Sequence, residues 1–88
     1  MKEIVINCAQ ISSLAEIHDV LARELDFPEW YGSNLDALHD CLTDLHEETE
    51  LSIVHSETLS ATLGPAYVRL TRVLSDAAEE NPWLKLHL

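Results

Sequence analysis

Three short apolar runs, separated by longer segments with helical periodicity, constrain the fold of this chain more than any other feature. The runs are Glu3–Asn7, Glu50–Val54 and Trp83–Leu88, and their β-branched or alternating apolar residues are typical of strands. Strands that are separated by helices pair in parallel through right-handed crossovers. We therefore expect a single α/β domain over residues 1–88, with a small three-stranded parallel sheet and helices packed mainly on one face.

About four helices are expected around these strands, with ends marked by capping and helix-breaking residues. The first helix should begin at Ser13 with Glu16 and end before Pro28. The third should begin at Ser56 and be closed by Gly64, and the fourth should begin at Pro65 and end at Asn81–Pro82. Their apolar faces should comprise Leu14, Ile17, Leu21 and Leu25 in the first helix and Tyr67, Leu70, Val73, Leu74 and Ala77 in the fourth. Ser33 or Asn34 should cap the second helix, with Asp36 placed to reach back to the cap. Trp83 is expected to anchor the last strand in the core.

The second helix, predicted from Asn34 to about Leu45, carries opposite chemistry on its two faces. Its apolar stripe comprises Leu35, Leu38, Leu42 and Leu45. Asp36, Asp40 and Asp44 recur at intervals of four residues and therefore stack on the other side. Like charges at this spacing repel by about 0.2–0.5 kcal/mol per pair. A helix that tolerates this repulsion beside a Trp-Tyr-Gly loop is interpreted as presenting negative charge to a partner.

The composition favours a folded protein that works inside the cell. Hydrophobic residues make up 47% of the 88 residues, so the chain should fold rather than remain disordered. No apolar run approaches the length of a membrane span, and the N-terminus lacks the order of residues typical of a signal peptide. Cys8 and Cys41 lie in a chain with enough apolar residues to fold without disulfides. We expect a cytoplasmic protein with both thiols free.

The formal net charge of −11 argues against nucleic acid and anionic membranes as partners, because phosphates would be repelled. No Lys or Arg lies between Arg23 and Arg69. The acidic residues in that interval are Glu24, Asp26, Glu29, Asp36, Asp40, Asp44, Glu47, Glu48, Glu50 and Glu57. A region that carries only negative charges suits electrostatic steering towards a basic surface. It suits solubility equally well, so charge alone leaves both interpretations open.

The most specific pattern in the chain is a run of residues that begins at Pro28. It reads Pro-x-aromatic-Tyr-Gly-x-Asn-Leu-Asp-Ala-Leu-x-Asp and is carried by Pro28, Trp30, Tyr31, Gly32, Asn34, Leu35, Asp36, Ala37, Leu38 and Asp40. This run resembles the barstar family of intracellular inhibitors of the ribonuclease barnase. The resemblance extends to V-I-N-C-A-Q-I near the start and to the order of elements, although Asp44–Ser75 matches only in pattern. A run this long is far more specific than a short motif.

The resemblance implies that the protein inhibits a basic microbial ribonuclease in a 1:1 complex, without a cofactor or metal. The loop and acidic helix would plug the cleft in which the enzyme binds RNA phosphates. Asp40 would be the central anion, Asp36 a second charged contact, and Trp30 the aromatic that packs over the catalytic histidine of the enzyme. The remaining residues expected at the interface are Tyr31, Gly32, Asn34, Leu35, His39, Asp44, Val73 and Asp76.

Three positions depart from the family pattern. His39 stands where the family has Trp, Trp30 replaces Tyr, and Asp76 is one methylene shorter than the usual Glu. His39 lies on the border between the apolar stripe and the acidic face, where it contacts the partner or fills a half-buried edge; we favour the second. Together these changes suggest a cognate enzyme that is barnase-like without being barnase.

Other functions remain open from the residues alone. The same scaffold, as an immunity or antitoxin module, suits a different basic nuclease or protein. Asp36, His39, Asp40 and His46 share helical spacing and are candidate metal ligands of a small metal-dependent enzyme, but no H-E-x-x-H or C-x-x-C spacing occurs. The acidic neighbours of Cys41 disfavour its thiolate and hence a role as nucleophile. Because no catalytic constellation is visible, we expect a protein that is not an enzyme.

Overall fold

The structure is a three-stranded parallel sheet with four α-helices, which confirms the predicted α/β class. It is a computed structural model that describes residues 2–88, so residue 1 of the expected domain lies outside the described part. The strands are β1 (Lys2–Asn7), β2 (Thr49–Val54) and β3 (Leu84–His87). The helices are α1 (Leu14–Glu24), α2 (Leu35–Thr43), α3 (Ser56–Leu63) and α4 (Pro65–Glu80), and a short 3₁₀ turn covers Cys8–Gln10.

The sheet has the order β1-β2-β3, and both pairs of strands are parallel. Alternate residues of a strand point to opposite faces, and one face is buried while the other is largely open. The buried face is formed by Ile4, Ile6, Leu51, Ile53 and Leu84. The open face carries Glu3, Val5, Val54, Lys85 and His87, all exposed. The helices therefore cover mainly one face, as predicted.

One cluster of apolar side chains joins that face of the sheet to the four helices. Its members from the helices, together with Leu25 at the end of α1, are Ile17, Leu21, Leu38, Leu42, Leu59, Leu70, Leu74 and Ala77. The predicted capping box forms at α1, where the N–H of Glu16 donates to Ser13 Oγ at 3.3 Å. Gly64 and Pro65 separate α3 from α4 as predicted. None of the helices described in residues 2–88 combines the length and the hydrophobicity needed to cross a lipid bilayer.

The structure corrects three details of the predictions. Helix α2 ends at Thr43 rather than about Leu45. Its cap is Asn34, which places Asp36 at the second helical position, too early to reach back as an N3 residue would. Trp83 is 45% exposed and does not anchor the core. Trp83 lies in the turn between α4 and β3 rather than in the strand, and this turn leaves its side chain at the surface.

Candidate partner-binding site

The exposed face of α2 carries the predicted row of carboxylates. Asp36 and Asp40 lie one turn apart and are both exposed, and the side chain of Asp40 is 74% exposed. Asp44, also exposed, is the C-terminal cap residue of α2 and keeps right-handed helical backbone angles. The opposite face of α2, which includes Leu38 and Leu42, is buried against the core. The helix therefore presents charge on one side because its other side is used for folding.

The first turn of α2 is fixed by Asn34. The N–H of Ala37 donates to Asn34 Oδ1 at 2.8 Å, which satisfies one of the free donors at the helix start. Gly32 lies beside this cap: a Cβ at position 32 would lie 3.0 Å from Asn34 Nδ2. Gly32 has an ordinary negative-φ or extended backbone, since Gly64 is the glycine with positive φ. Its role in this structure is therefore to leave room for the cap.

The last turn of α2 is fixed by Asn81, which follows α4 and is buried. Asn81 Nδ2 donates to the carbonyl oxygens of Leu42 at 2.8 Å and Leu45 at 3.0 Å. Its Oδ1 accepts from the N–H of Trp83 at 2.9 Å. Sequence analysis treated Asn81 only as a helix stop, because a contact with residues 36 to 39 positions away leaves no local signal. The amide therefore fixes the path of the chain at the point where it leaves α2.

His39 links α2 to α4. Its side chain is 33% exposed, and Nε2–H donates to the Glu80 carboxylate at the end of α4. Its Nδ1 lies 3.9 Å from Asp40 Oδ1. The expectation that His39 fills a half-buried edge is confirmed, whereas its contact with a partner stays a prediction. Glu80 was not among the predicted site residues, although it lies one turn beyond Asp76 on the same helix.

In the loop between α1 and α2, Trp30 is followed by Tyr31, whose side chain is held in place by contacts with its neighbours. Trp30 is 64% exposed. Tyr31 is half-buried; its ring packs on the edge of Phe27 with centroids 4.8 Å apart, and its hydroxyl hydrogen-bonds His18 Nδ1 on α1. His18 is only 3% exposed. Sequence analysis gave His18 no role; its position on α1 next to Ile17, on the buried face, was the available signal.

Two residues in the left-handed region flank this loop. Asp26 has φ 52° and Ser33 has φ 52°, a conformation that costs most side chains free energy. At the start of the loop, the N–H of Phe27 donates to the carbonyl of Ala22 at 3.0 Å across the end of α1. This is the bond pattern of a Schellman helix end, in which the residue before Phe27 is usually glycine. The loop is therefore held by its ends as well as by Tyr31.

Burial shifts the pKa values of three groups near the loop and α2. It lowers the pKa of His18 from 6.5, partly offset by Asp19. It raises the pKa of Tyr31 to about 12, with smaller contributions from Cys41 and Asp19. It also raises the pKa of the Cys41 thiol, to which Asp40 and Asp44 add. A thiol whose pKa is raised is a poor nucleophile.

The other predicted residues are placed as follows. Leu35 and Val73 are partly buried against the core, and Asp76 is exposed on α4. Helix α4 packs against α2, so the acidic end of α4 lies beside the acidic face of α2.

Across residues 2–88, no three His, Cys, Asp or Glu side chains gather as metal ligands, and this includes the candidate set around His46. Cys8 and Cys41 are buried, free thiols.

A sequence model of the family described as "Barstar (barnase inhibitor)" matches residues 1–86. The chain belongs to the barstar family. A relative from Bacillus subtilis (strain 168), named "Putative ribonuclease inhibitor YrdF", is 36% identical over 81 residues. The aligned part covers 91% of this chain and 89% of the Bacillus protein. Membership of the barstar family confirms the resemblance seen in the run that begins at Pro28, and the family as a whole is described as one of barnase inhibitors.

Proposed function

We propose that this protein inhibits a basic microbial ribonuclease in a 1:1 complex, by placing α2 and the loop Pro28–Asn34 in the cleft that binds RNA phosphates. The observation that carries the proposal is the exposed row of carboxylates on a helix fixed at both ends. An enzyme that cleaves RNA must hold phosphate with cationic donors in a concave site. Carboxylate oxygens offer those donors the same charge-assisted hydrogen bonds that phosphate oxygens offer. Inside a cell that makes such an enzyme, the protein would act as an antitoxin.

The rigidity of α2 supports the proposal. Asn34 holds its first turn, Asn81 holds its last turn, and His39 ties its middle to α4. A carboxylate on a helix held in this way already points in its bound direction, so docking costs little conformational entropy. Asp40 lies between these supports and is strongly exposed. We assign it the central contact, with Asp36 second and Asp44 mainly in steering.

The exposed indole of Trp30 supports the same surface. Exposure of a large aromatic ring to water is unfavourable in the free protein. Such rings are typical of the anchors that carry binding energy at interfaces. The ring projects from a loop that Tyr31 secures, so its surroundings stay fixed although the indole itself is solvated. In the proposed complex, Trp30 packs on the enzyme beside the carboxylates. Asp76 and Val73 on α4 then lie at the periphery, where a contact contributes less.

The charge of the whole protein supports fast capture of a basic enzyme. The net charge of −11 produces an attractive field that reaches about 8–10 Å at physiological ionic strength. Attraction of this kind raises association rates and falls with added salt. The proposal therefore includes a strong dependence of the association rate on ionic strength.

The test is calorimetric titration of the protein against a panel of basic, guanyl-preferring microbial ribonucleases, together with RNA cleavage assays. We expect one ribonuclease per inhibitor molecule and loss of cleavage in parallel with binding. Asp40→Asn removes the charge and keeps the shape. It should weaken binding by at least about 2 kcal/mol, roughly 30-fold, the size expected of an interface hot spot.

Glu3→Gln is the matched control, since it also removes one exposed carboxylate but lies on the open face of the sheet, away from α2. It should change affinity only through net charge. Equal binding by the wild type and Asp40→Asn would refute the assigned site. Failure of every ribonuclease to bind, with Asp40-dependent binding of another basic nuclease, would instead favour an immunity module with a different target.

A further inference from the structure

The edge of β1 that faces away from β2 carries backbone groups without partners. The N–H of Lys2 donates to the carbonyl of Glu48 at 2.9 Å, so Lys2 and every second residue after it direct their backbone groups towards β2. The N–H and C=O groups of Glu3, Val5 and Asn7 therefore point away from the sheet. Within residues 2–88, none of these outward groups makes a hydrogen bond to another backbone group. A strand edge in this state is able to accept a further strand.

The opposite edge of the sheet, on β3, offers fewer such groups. Strand β3 is four residues long, and its pairing begins where the N–H of Thr49 donates to the carbonyl of Trp83 at 2.8 Å. Alternation then leaves Leu84 and Leu86 as the residues of β3 with outward backbone groups. The three outward residues of β1 make it the better edge for pairing.

A groove of about 330 Å³ runs between the free edge of β1 and α1. Helix α1 follows β1 through a short connection, and Lys2 Nζ donates to the carbonyl of Glu24 at 2.7 Å. The end of α1 therefore lies beside the start of β1, and the helix runs antiparallel to the strand. Val5, which is 63% exposed, and the half-buried Val20 line the groove. The groove thus has an apolar middle next to the unpaired edge.

The two ends of the groove carry opposite charges. Glu16 and Arg23 both line it, and because they are seven residues apart they lie two turns apart on nearly one line of α1. Arg23 lies towards the start of β1 and Glu16 towards its end. Glu24 also lines the groove, but its side chain is turned by about 80° from that line. Within residues 2–88, Arg23 is in no ion pair, so its guanidinium is available to a partner.

We propose that two copies of the chain associate at this edge: β1 pairs antiparallel with β1 of a second copy and joins the two sheets into one of six strands. The outward backbone groups set the register. A two-fold axis at Val5 pairs Val5 with Val5 of the second copy and Glu3 with its Asn7, so all three outward residues of each strand form hydrogen bonds. A shift by two residues in either direction pairs only two of the three within β1.

The charges of the groove fit a second copy better than an unrelated strand. The same axis places the second groove end to end with the first, so Arg23 of each copy faces Glu16 of the other and Val20 meets Val20 in the middle. A contact between identical surfaces must be self-complementary in this way. Strand β1 packs against β2 and α1, whereas α2 packs against α4. The inference therefore concerns a different surface from the proposed ribonuclease site and does not depend on the proposed function.

The dimer should be weak, and it should respond to salt in the opposite sense to ribonuclease binding. Each copy carries a net charge of −11, so two copies repel each other at low ionic strength. Added salt screens this repulsion, while the hydrogen bonds between the strands and the apolar contact between the helices remain.

Sedimentation velocity of the protein alone, over a range of concentrations at about 0.1 M and about 1 M salt, tests the association. We expect a monomer–dimer equilibrium that shifts towards the dimer at the higher salt concentration. A single monomeric species up to about 1 mM protein at both salt concentrations would overturn the proposal and leave the edge to an extended segment of another protein.

Charge reversal tests which surface is used. Arg23→Glu and Glu16→Lys each place like charges opposite each other at two points of the dimer, so the dimer Kd should rise at least about tenfold. An equimolar mixture of the two variants should dimerise again, because unlike charges then face each other at both points, and misfolded variants would show no such recovery. Arg72→Glu is the matched control: this exposed residue of α4 changes the net charge equally and should leave dimerisation near wild type. A mixture that stays monomeric, or an Arg72→Glu protein weakened as much as Arg23→Glu, would contradict this surface.

Hydrogen exchange of the wild type locates the paired strand without any substitution. The N–H groups of Glu3, Val5 and Asn7 should exchange more slowly as the protein concentration rises, because the dimer protects them. The outward N–H of Leu86, at the edge of β3, is the control and should exchange at a constant rate. Protection of Leu86 in place of Val5 would overturn the assignment of the edge.

Discussion

Nδ1 of His18 and the hydroxyl of Tyr31 share a hydrogen bond that joins α1 to the loop carrying Trp30. The histidine is buried and the tyrosine half-buried, so each polar group depends on the other for satisfaction. The loop is also held by the Phe27 ring beside Tyr31, by the N–H of Tyr31, which donates to the carbonyl of Pro28 at 2.9 Å, and by the helix ends on either side. The bond between His18 and Tyr31 therefore helps to fix the loop from which Trp30 projects.

Tyr31→Phe should destabilise the protein by about 1–3 kcal/mol, because it leaves the buried ring nitrogen of His18 without its partner. Urea unfolding measures this loss. Affinity for the ribonuclease should fall as well, since the loop loses its anchor. Tyr67→Phe, at a half-buried tyrosine of α4, is the control and should stay near wild type. A Tyr31→Phe protein as stable as Tyr67→Phe would show that the bond contributes little.

Stability should depend on pH through the same pair. The pKa of His18 is lowered below 6.5 in the folded protein, so between that lowered value and pH 6.5 the unfolded chain binds more protons. Stability is therefore complete above pH 6.5 and is lost as the pH falls through this window. The pKa of Tyr31 is raised from 10 to about 12, so stability should also fall as the pH rises from 10 to 12.

The measurement for this prediction is chemical unfolding of wild type and His18→Gln over the acid range. The variant has no imidazole at position 18, so its stability should decline less between pH 6.5 and pH 5. Carboxylates titrate at lower pH and contribute to both proteins alike. Parallel curves for the two proteins over this range would be evidence against the buried, neutral histidine.

Asp26→Gly should stabilise the protein, by up to about 1 kcal/mol, because glycine adopts the left-handed conformation of this helix end without the steric cost of a Cβ. The same substitution at Asp19, an exposed position inside α1, should instead cost a few tenths of a kcal/mol, through helix propensity. Thermal unfolding of the two variants compares them directly. Loss of stability in both would argue against the left-handed assignment of Asp26.

Asn81→Ala should destabilise the protein by at least about 2 kcal/mol, because it leaves the carbonyls of Leu42 and Leu45 and the N–H of Trp83 without their partner. Hydrogen exchange should show faster opening at the end of α2, ahead of global unfolding. Ser75→Ala, at an exposed site of α4, is the control. Unchanged exchange in α2 would mean that Asn81 does not hold this helix end.

The elements with local signals could be predicted from the sequence. Gly64 and Pro65 mark the boundary between α3 and α4 wherever the helices lie in space, and Asn81 ends α4. The end of α2 has no such signal. The apolar stripe continues to Leu45, but α2 ends at Thr43, and the amide of Asn81, which the tertiary fold brings near, binds the carbonyls of Leu42 and Leu45 where the chain leaves the helix.

The acidic face of the candidate site was also predictable, because the spacing of Asp36, Asp40 and Asp44 places them together on any helix. Its supports were not. His18 meets Tyr31 across 13 residues and His39 meets Glu80 across 41, and neither pair has a local pattern. For Trp83 the prediction was wrong: its size and hydrophobicity favoured the core, but it lies in the turn before β3 and is exposed.

The central claim, that α2 occupies a basic cleft through Asp40, is tested most directly by comparing the ribonuclease affinities of Asp40→Asn and Glu3→Gln at one ionic strength. Both variants lose a single exposed carboxylate, so long-range attraction changes equally. We predict that Asp40→Asn binds at least roughly 30-fold more weakly than Glu3→Gln. Equal affinities of the two variants would contradict the claim.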